Sequence, residues 1–324
     1  MSKKAKKSKK SAKNKGILSR GLSGQLFLAL ILMIIGVWGF SIFTLKNSES
    51  LLTDVSPVLA QNIAAPKDIN ALDETTSSVS DKKKMIPVPS QVTAKAVAVY
   101  DEDTKQFLMS KNSDVSYPPA SITKLLTALV VMDNLQLDQK LTVPYECTTI
   151  AGNKDNLIAG SVFTVEELMK QMLVTSASDS TCTLVTALGQ KEWVYSAINQ
   201  KAEEIGMYNT HLTNTIGFDD PGHFSQAQDL IKLGQEVTKS DFLRGLVATK
   251  SVTVNGMVLP STNVLLGNLP GIDGVKTGST LGAGECLLFH YNQSGRHLMG
   301  VVMGSKDRFT DTKLILQEIE SNPN

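Results

Sequence analysis

The 324-residue sequence predicts an α+β fold: an antiparallel sheet flanked by helices plus a mostly helical lobe, preceded by one transmembrane helix. Three observations carry that expectation. Strand patterns stand at the two ends of residues 92–319 and helical patterns fill the middle, so the first and last strands are expected to share one sheet. From Gly21 to Leu45 no residue is charged. Nine Lys or Arg and no acid occupy residues 1–20, immediately before that apolar run.

Residues 1–21 therefore read as a basic cytoplasmic tail and 22–45 as the span. Its core, Leu26–Leu45, matches the ~20 residues that cross the hydrocarbon as a helix. Basic residues before it place the N-terminus in the cytoplasm and all that follows Lys46 outside. A cleaved signal peptide would have an apolar region of about 7–15 residues and a small-x-small site, and Ser41-Ile42-Phe43-Thr44 offers none. No Cys closely follows the span, so a lipid anchor has no support. Residues 46–90 hold Pro57, Pro66, Pro87 and Pro89, a Thr-Thr-Ser-Ser run and Lys82-Lys83-Lys84 with little periodicity, the composition of an extracytoplasmic linker.

The folded domain is expected over 91–320, with 321–324 a short tail. Ala94–Tyr100 and Gln106–Ser110 flank a polar pentapeptide and predict a hairpin. Pro118-Pro119-Ala120 then leads into an apolar helix over Ser121–Asn134, proline being well tolerated in a helix's first turn. Helical periodicity marks Val165–Val174, Asp179–Leu188, Glu192–Ile205 and Gln226–Lys239. Strands are expected at Ser251–Val254, Gly274–Thr277, Glu285–His290 and His297–Met303, and a last amphipathic helix at Lys306–Ile319.

Charge and composition exclude several classes. Beyond the tail, 23 basic residues face 31 acidic ones, a net of −8 that argues against nucleic-acid binding by the domain. Cys147, Cys182 and Cys286 are odd in number and lie in or near apolar runs, so all three are expected as small buried thiols. Four scattered histidines (His211, His223, His290, His297) build no zinc site. No metal or organic cofactor is expected.

Three short motifs carry chemistry. In Ser121-Ile122-Thr123-Lys124, helical spacing puts the amine beside the hydroxyl, and a partly desolvated lysine can take a serine's proton. The helix start also supplies N–H groups to an oxyanion. Alone the pattern is common on surface helices; here it sits among Ile122, Leu125, Leu126, Leu129 and Val130. Ser176-Ala177-Ser178-Asp179 marks the break between two helical patterns, and by itself reads as a helix cap. Lys276-Thr277-Gly278-Ser279 ends a strand, where a lysine and hydroxyls can grip a carboxylate and glycine permits close approach, or where the chain simply turns.

Together, Ser-x-x-Lys, a Ser-x-Asn-like triplet and Lys-Thr-Gly resemble the signature of penicillin-binding proteins and class A β-lactamases. The decapeptide Pro119–Ala128 resembles the nucleophile helix of the low-molecular-mass, serine-type D-alanyl-D-alanine carboxypeptidases. So do Asn214–Asp220, His223-Phe224-Ser225 and Gly271–Gly278. The likeness runs from about Val92 to Ile319 and implies a β-lactamase/transpeptidase-like fold. It further implies that Ser121 attacks the carbonyl between two terminal D-alanines of a peptidoglycan stem peptide, with β-lactam antibiotics as covalent inhibitors. Lys124 would accept the proton and Ser176 relay one to the leaving amine. Lys276 and Thr277 would bind the terminal carboxylate, Gly278 would leave space, and the N–H groups of Ser121 and Ser279 would form the oxyanion hole.

One position departs: the family's middle motif ends in Asn, and here Ser178 stands there with a single hydroxyl. A lost charge-assisted contact predicts a weakening of ~1.5–3 kcal/mol, about 10- to 150-fold. A D,D-endopeptidase would use the same site. A class A β-lactamase would need Glu-x-x-Leu-Asn, which the sequence lacks. A non-catalytic wall-binding homologue is the reading Ser178 favours and the retained Ser121, Lys124, Ser176 and Lys276 oppose.

Overall fold

The computed structural model describes residues 85–322. The expected tail, span and most of the linker lie outside the described residues. Among the described residues, no helix is long and apolar enough to cross a membrane.

In chain order the elements are β1 (Ala96–Asp101), β2 (Gln106–Lys111), a 3₁₀ turn (Ala120–Ile122), α1 (Thr123–Asn134), β3 (Lys140–Thr142) and α2 (Tyr145–Thr148). Next come β4 (Val162–Thr164), α3 (Val165–Val174), α4 (Ser178–Leu188), α5 (Lys191–Glu204), α6 (Ala227–Lys239) and α7 (Asp241–Val247). The chain finishes with β5 (Ser251–Val254), β6 (Met257–Pro260), β7 (Ile272–Thr280), β8 (Gly284–Gln293), β9 (Arg296–Ser305) and α8 (Arg308–Ser321). The main sheet has five antiparallel strands in the order β2-β1-β9-β8-β7. The first and last strands share it, as the pattern predicted, and β7 is left as an edge.

Side-chain alternation divides the core between the two faces of this sheet. Ala96 and Ala98 of β1, Cys286 and Leu288 of β8, and Met299, Val301 and Met303 of β9 pack toward the helical lobe. The intervening Val97, Val99, Leu287, Phe289, Leu298 and Val302 face the other layer, with Ile315, Leu316 and Ile319 of α8. The first described residues belong to this second layer through Ile86, Val92 and Ala94. Buried Asp311 of α8 fastens them by accepting from the N–H groups of Thr93 (2.9 Å) and Ala94 (2.8 Å). Helix α1 runs through the lobe with eight of its twelve residues buried, so nothing charged should survive on it without a purpose.

Two expectations are corrected. Cys147 and Cys182, expected as free thiols, form a disulfide with Cα atoms 5.4 Å apart; Cys286 is free and buried. The pairing arises because α2 packs on α4, which brings together residues 35 apart in the chain. Ser176-Ala177-Ser178-Asp179 does not cap a helix in the ordinary way either. The N-cap of α4 is Ala177, without a side-chain capping bond.

Candidate active site

The Ser121 turn is built under constraint. Ala120 holds a positive φ of 49°, which swings Ser121 onto the mouth of α1. Two glycines make room for it. A Cβ on Gly217 would fall 2.0 Å from the Ala120 carbonyl oxygen, and one on Gly278 would fall 2.9 Å from Pro119 O and 3.0 Å from Ser121 N. The loop over 214–218 and the edge of β7 thus press against the turn from two sides.

Lys124 lies one helical turn on, 1% exposed, with Nζ 3.0 Å from Ser121 Oγ and 2.9 Å from the Ile216 carbonyl. It has no carboxylate partner there, and burial pushes its ammonium down to about 7. Asn214 holds the accepting carbonyl in place. Its Oδ1 takes the N–H groups of Ile216 (3.2 Å), Gly217 (2.7 Å) and Phe218 (3.0 Å). His223 locks the same loop to α1. The Thr213 N–H donates to its Nδ1 (3.1 Å), so Nε2 carries the proton and donates to Thr123 Oγ1 (2.8 Å). Burial pushes this imidazole down to about 4, which keeps it neutral.

The other two motifs meet each other. Ser176, with a positive φ of 63°, accepts a 2.9 Å hydrogen bond from Lys276 Nζ, which also donates to Thr277 O (3.0 Å). Lys276 is 1% exposed; burial, and then the charges of Lys124 and Arg308, hold its ammonium well below the usual lysine range. Its Nζ therefore serves Ser176 from below the surface.

A cavity of about 390 Å³ opens over these groups. Ser121, Ser176, Ser178, Thr277, Gly278 and Ser279 line it, while Lys124 and Lys276 lie beneath. The structure thus brings together all eight residues singled out in the sequence. Others lining the cavity were not singled out: Gly152 and Asn153, Thr262, whose hydroxyl lies 2.6 Å from that of Thr277, and Arg308. Arg308 opens α8 beside β7, with Nη1 donating to Gly278 O (3.0 Å). The Ile216 carbonyl escaped because a main-chain acceptor leaves no residue-type signal, and Arg308 because a charge opening a terminal helix looks like any solvated one. Among the described residues, no cluster of His, Cys, Asp or Glu is placed to hold a metal.

A serine hydroxyl with a buried amine beside it and a second lysine–serine pair at an open edge strand stand together on a transpeptidase-like α+β fold. Comparison with known proteins agrees. A family profile described as D-alanyl-D-alanine carboxypeptidase matches residues 82–307. The chain is 30% identical over 223 residues to the D-alanyl-D-alanine carboxypeptidase DacF of Bacillus subtilis, covering 65% of this chain and 57% of DacF. It is 30% identical to DacD of Escherichia coli, covering 73% of this chain and 65% of DacD. The match thus spans less than two thirds of either relative. The crystal structure of the Streptomyces K15 DD-transpeptidase superposes with a TM-score of 0.67 at 26% identity, covering 71% of this chain and 98% of that one. The chain belongs to the D-alanyl-D-alanine carboxypeptidase family.

Proposed function

We propose that this protein is a serine-type D-alanyl-D-alanine carboxypeptidase, anchored by residues 26–45 with its catalytic domain outside the membrane. The observation that carries the reading is the buried Lys124 amine 3.0 Å from Ser121 Oγ, shifted to about 7 and so able to accept a proton. Ser121 attacks the carbonyl of the penultimate D-alanine as its proton passes to Lys124. The negative oxygen is received by the N–H groups of Ser121 and Ser279. The proton taken up by Lys124 returns through Ser176, poised by Lys276, to the departing D-alanine nitrogen as the peptide bond breaks, which leaves Lys124 neutral and the Ser176 hydroxyl intact. Water then hydrolyses the ester and frees Ser121. The terminal carboxylate of the stem peptide lies against the Thr277 hydroxyl, with Ser279 and Arg308 on the same wall and the Lys276 charge beneath. The Lys124–Ser121 and Lys276–Ser176 pairs favour turnover over a binding-only role.

Two observations support the extracytoplasmic placement: the basic residues that precede the apolar run, and the Cys147–Cys182 disulfide, a bond that persists in oxidising compartments. Incubating the full chain with a fluorescent penicillin should give a covalent adduct on the peptide holding Ser121. Labelling that survives Ser121→Ala would overturn the mechanism. Protease added to spheroplasts should digest the domain; full protection of membrane-bound protein would overturn the topology.

A further inference from the structure

Ser178 is short, 1% exposed, and cannot reach far into the cleft. The loop beside it can. Gly152, at φ 91°, sits so near that a Cβ would lie 2.7 Å from Ser178 Oγ, and the next residue, Asn153, is exposed and lines the cleft. Several ties fasten this loop to the first turn of α4. Ser178 N–H donates to Asn153 O (2.7 Å), and the Asp179 carboxylate accepts from Asp155 N (3.2 Å) and Leu157 N (3.0 Å). The Cys147–Cys182 disulfide closes the loop's other end. Its carboxamide is oriented as well, because Nδ2 donates to Thr175 O, the carbonyl just before Ser176. That leaves Oδ1 and the second amide hydrogen for a ligand.

We propose that Asn153 supplies, from this neighbouring loop, the carboxamide that the middle motif lacks, contacting the backbone amide on the acyl side of the scissile bond. The inference rests on the function proposed above and names one of its substrate contacts. A fixed carboxamide offers an acceptor and a donor together, the complement of a peptide group, and its anchor costs the ligand no ordering of a loose side chain.

Penicillins separate contact from scaffolding. Benzylpenicillin carries a side-chain amide where the stem peptide carries its backbone amide; penicillanic acid has the same ring and carboxylate and no amide. In the full chain, Asn153→Ala should slow acylation by benzylpenicillin about tenfold or more, the usual effect of one lost hydrogen bond to a peptide group. Penicillanic acid should be affected less than about twofold, because the ring and carboxylate contacts remain. Should Asn153→Ala unfold, Asn153→Ser, which keeps a polar atom toward Thr175, serves in its place, with melting temperature recorded for each. An equal loss with both compounds makes Asn153 a scaffold residue and overturns the proposal, as does no loss with either. A native protein that benzylpenicillin does not acylate would instead sink the functional reading itself.

Discussion

The sharpest consequence of the site concerns pH. Lys124 must be neutral to accept the Ser121 proton, and burial places its pKa at about 7. At pH 6 about one molecule in ten then holds the neutral amine, and at pH 5 about one in a hundred. The second-order rate of acylation by benzylpenicillin should therefore fall about tenfold per pH unit below 7 and level off above it. Stopped-flow or gel-based labelling between pH 5 and 8 measures this directly.

Other groups near the cleft must be separated from that limb. His223, pushed down to about 4 by burial, titrates below the window. The compound's carboxylate stays ionised throughout. Asp155, raised to about 6 by burial despite its bond to Thr175 and with Asp179 adding to the rise, does lie inside it. Asp155→Asn should nonetheless leave the break near 7. Lys124→Arg should abolish the limb and cost about 10²–10⁴ in rate at every pH, since a guanidinium does not give up its proton. A profile flat from pH 5 to 8, or one that still climbs tenfold per unit at pH 9, would refute a lysine base of this strength.

Three further outcomes follow from the same geometry. Ser178→Asn should lower the melting temperature by roughly 2–12 °C, because overpacking against Gly152 costs about 1–3 kcal/mol, and should not speed acylation; a faster, equally stable variant would contradict this. Ser176→Ala should slow acylation about 10²–10⁴-fold with melting little changed, because the hydroxyl poised by Lys276 passes the proton and caps no helix; a native rate would remove it from the mechanism. Replacing Cys147 and Cys182 by Ser opens a link between residues 35 apart, worth about 3–4 kcal/mol, so melting should fall by roughly 6–16 °C; identical curves with and without reductant would refute that weight.

What the sequence disclosed depended on range along the chain. Ser121 and Lys124 were legible because three residues of helix fix their relation, and Val165–Val174 because its period and its Thr164–Glu167 capping box are both local. Strands β7 to β9 run past their expected ends at the active-site edge. There Gly278 and Gly284 are poor strand formers, held in the ladder by their neighbours. Strands β3 and β4, three residues each, are too short for alternation to show. The disulfide was invisible because spacing does not reveal which helices touch. Asn153 lay in an unremarkable polar loop, 25 positions from the Ser178 it abuts, and nothing in the sequence sets the two side by side.

The two lysines finally constrain each other. Burial depresses both, and Lys276 is further depressed by the Lys124 and Arg308 charges. A substrate carboxylate arriving on the Thr277 wall opposes that depression, because a nearby anion favours the ammonium form of a lysine. The same field reaches Lys124, so its pKa should rise when the cleft is occupied. The second-order rate reports groups of the free enzyme, whereas the rate at saturation reports those of the complex. The break at saturation should therefore lie at higher pH than the second-order break near 7. Measuring both limbs on one preparation tests this, and a break at saturation at or below the second-order break would refute it.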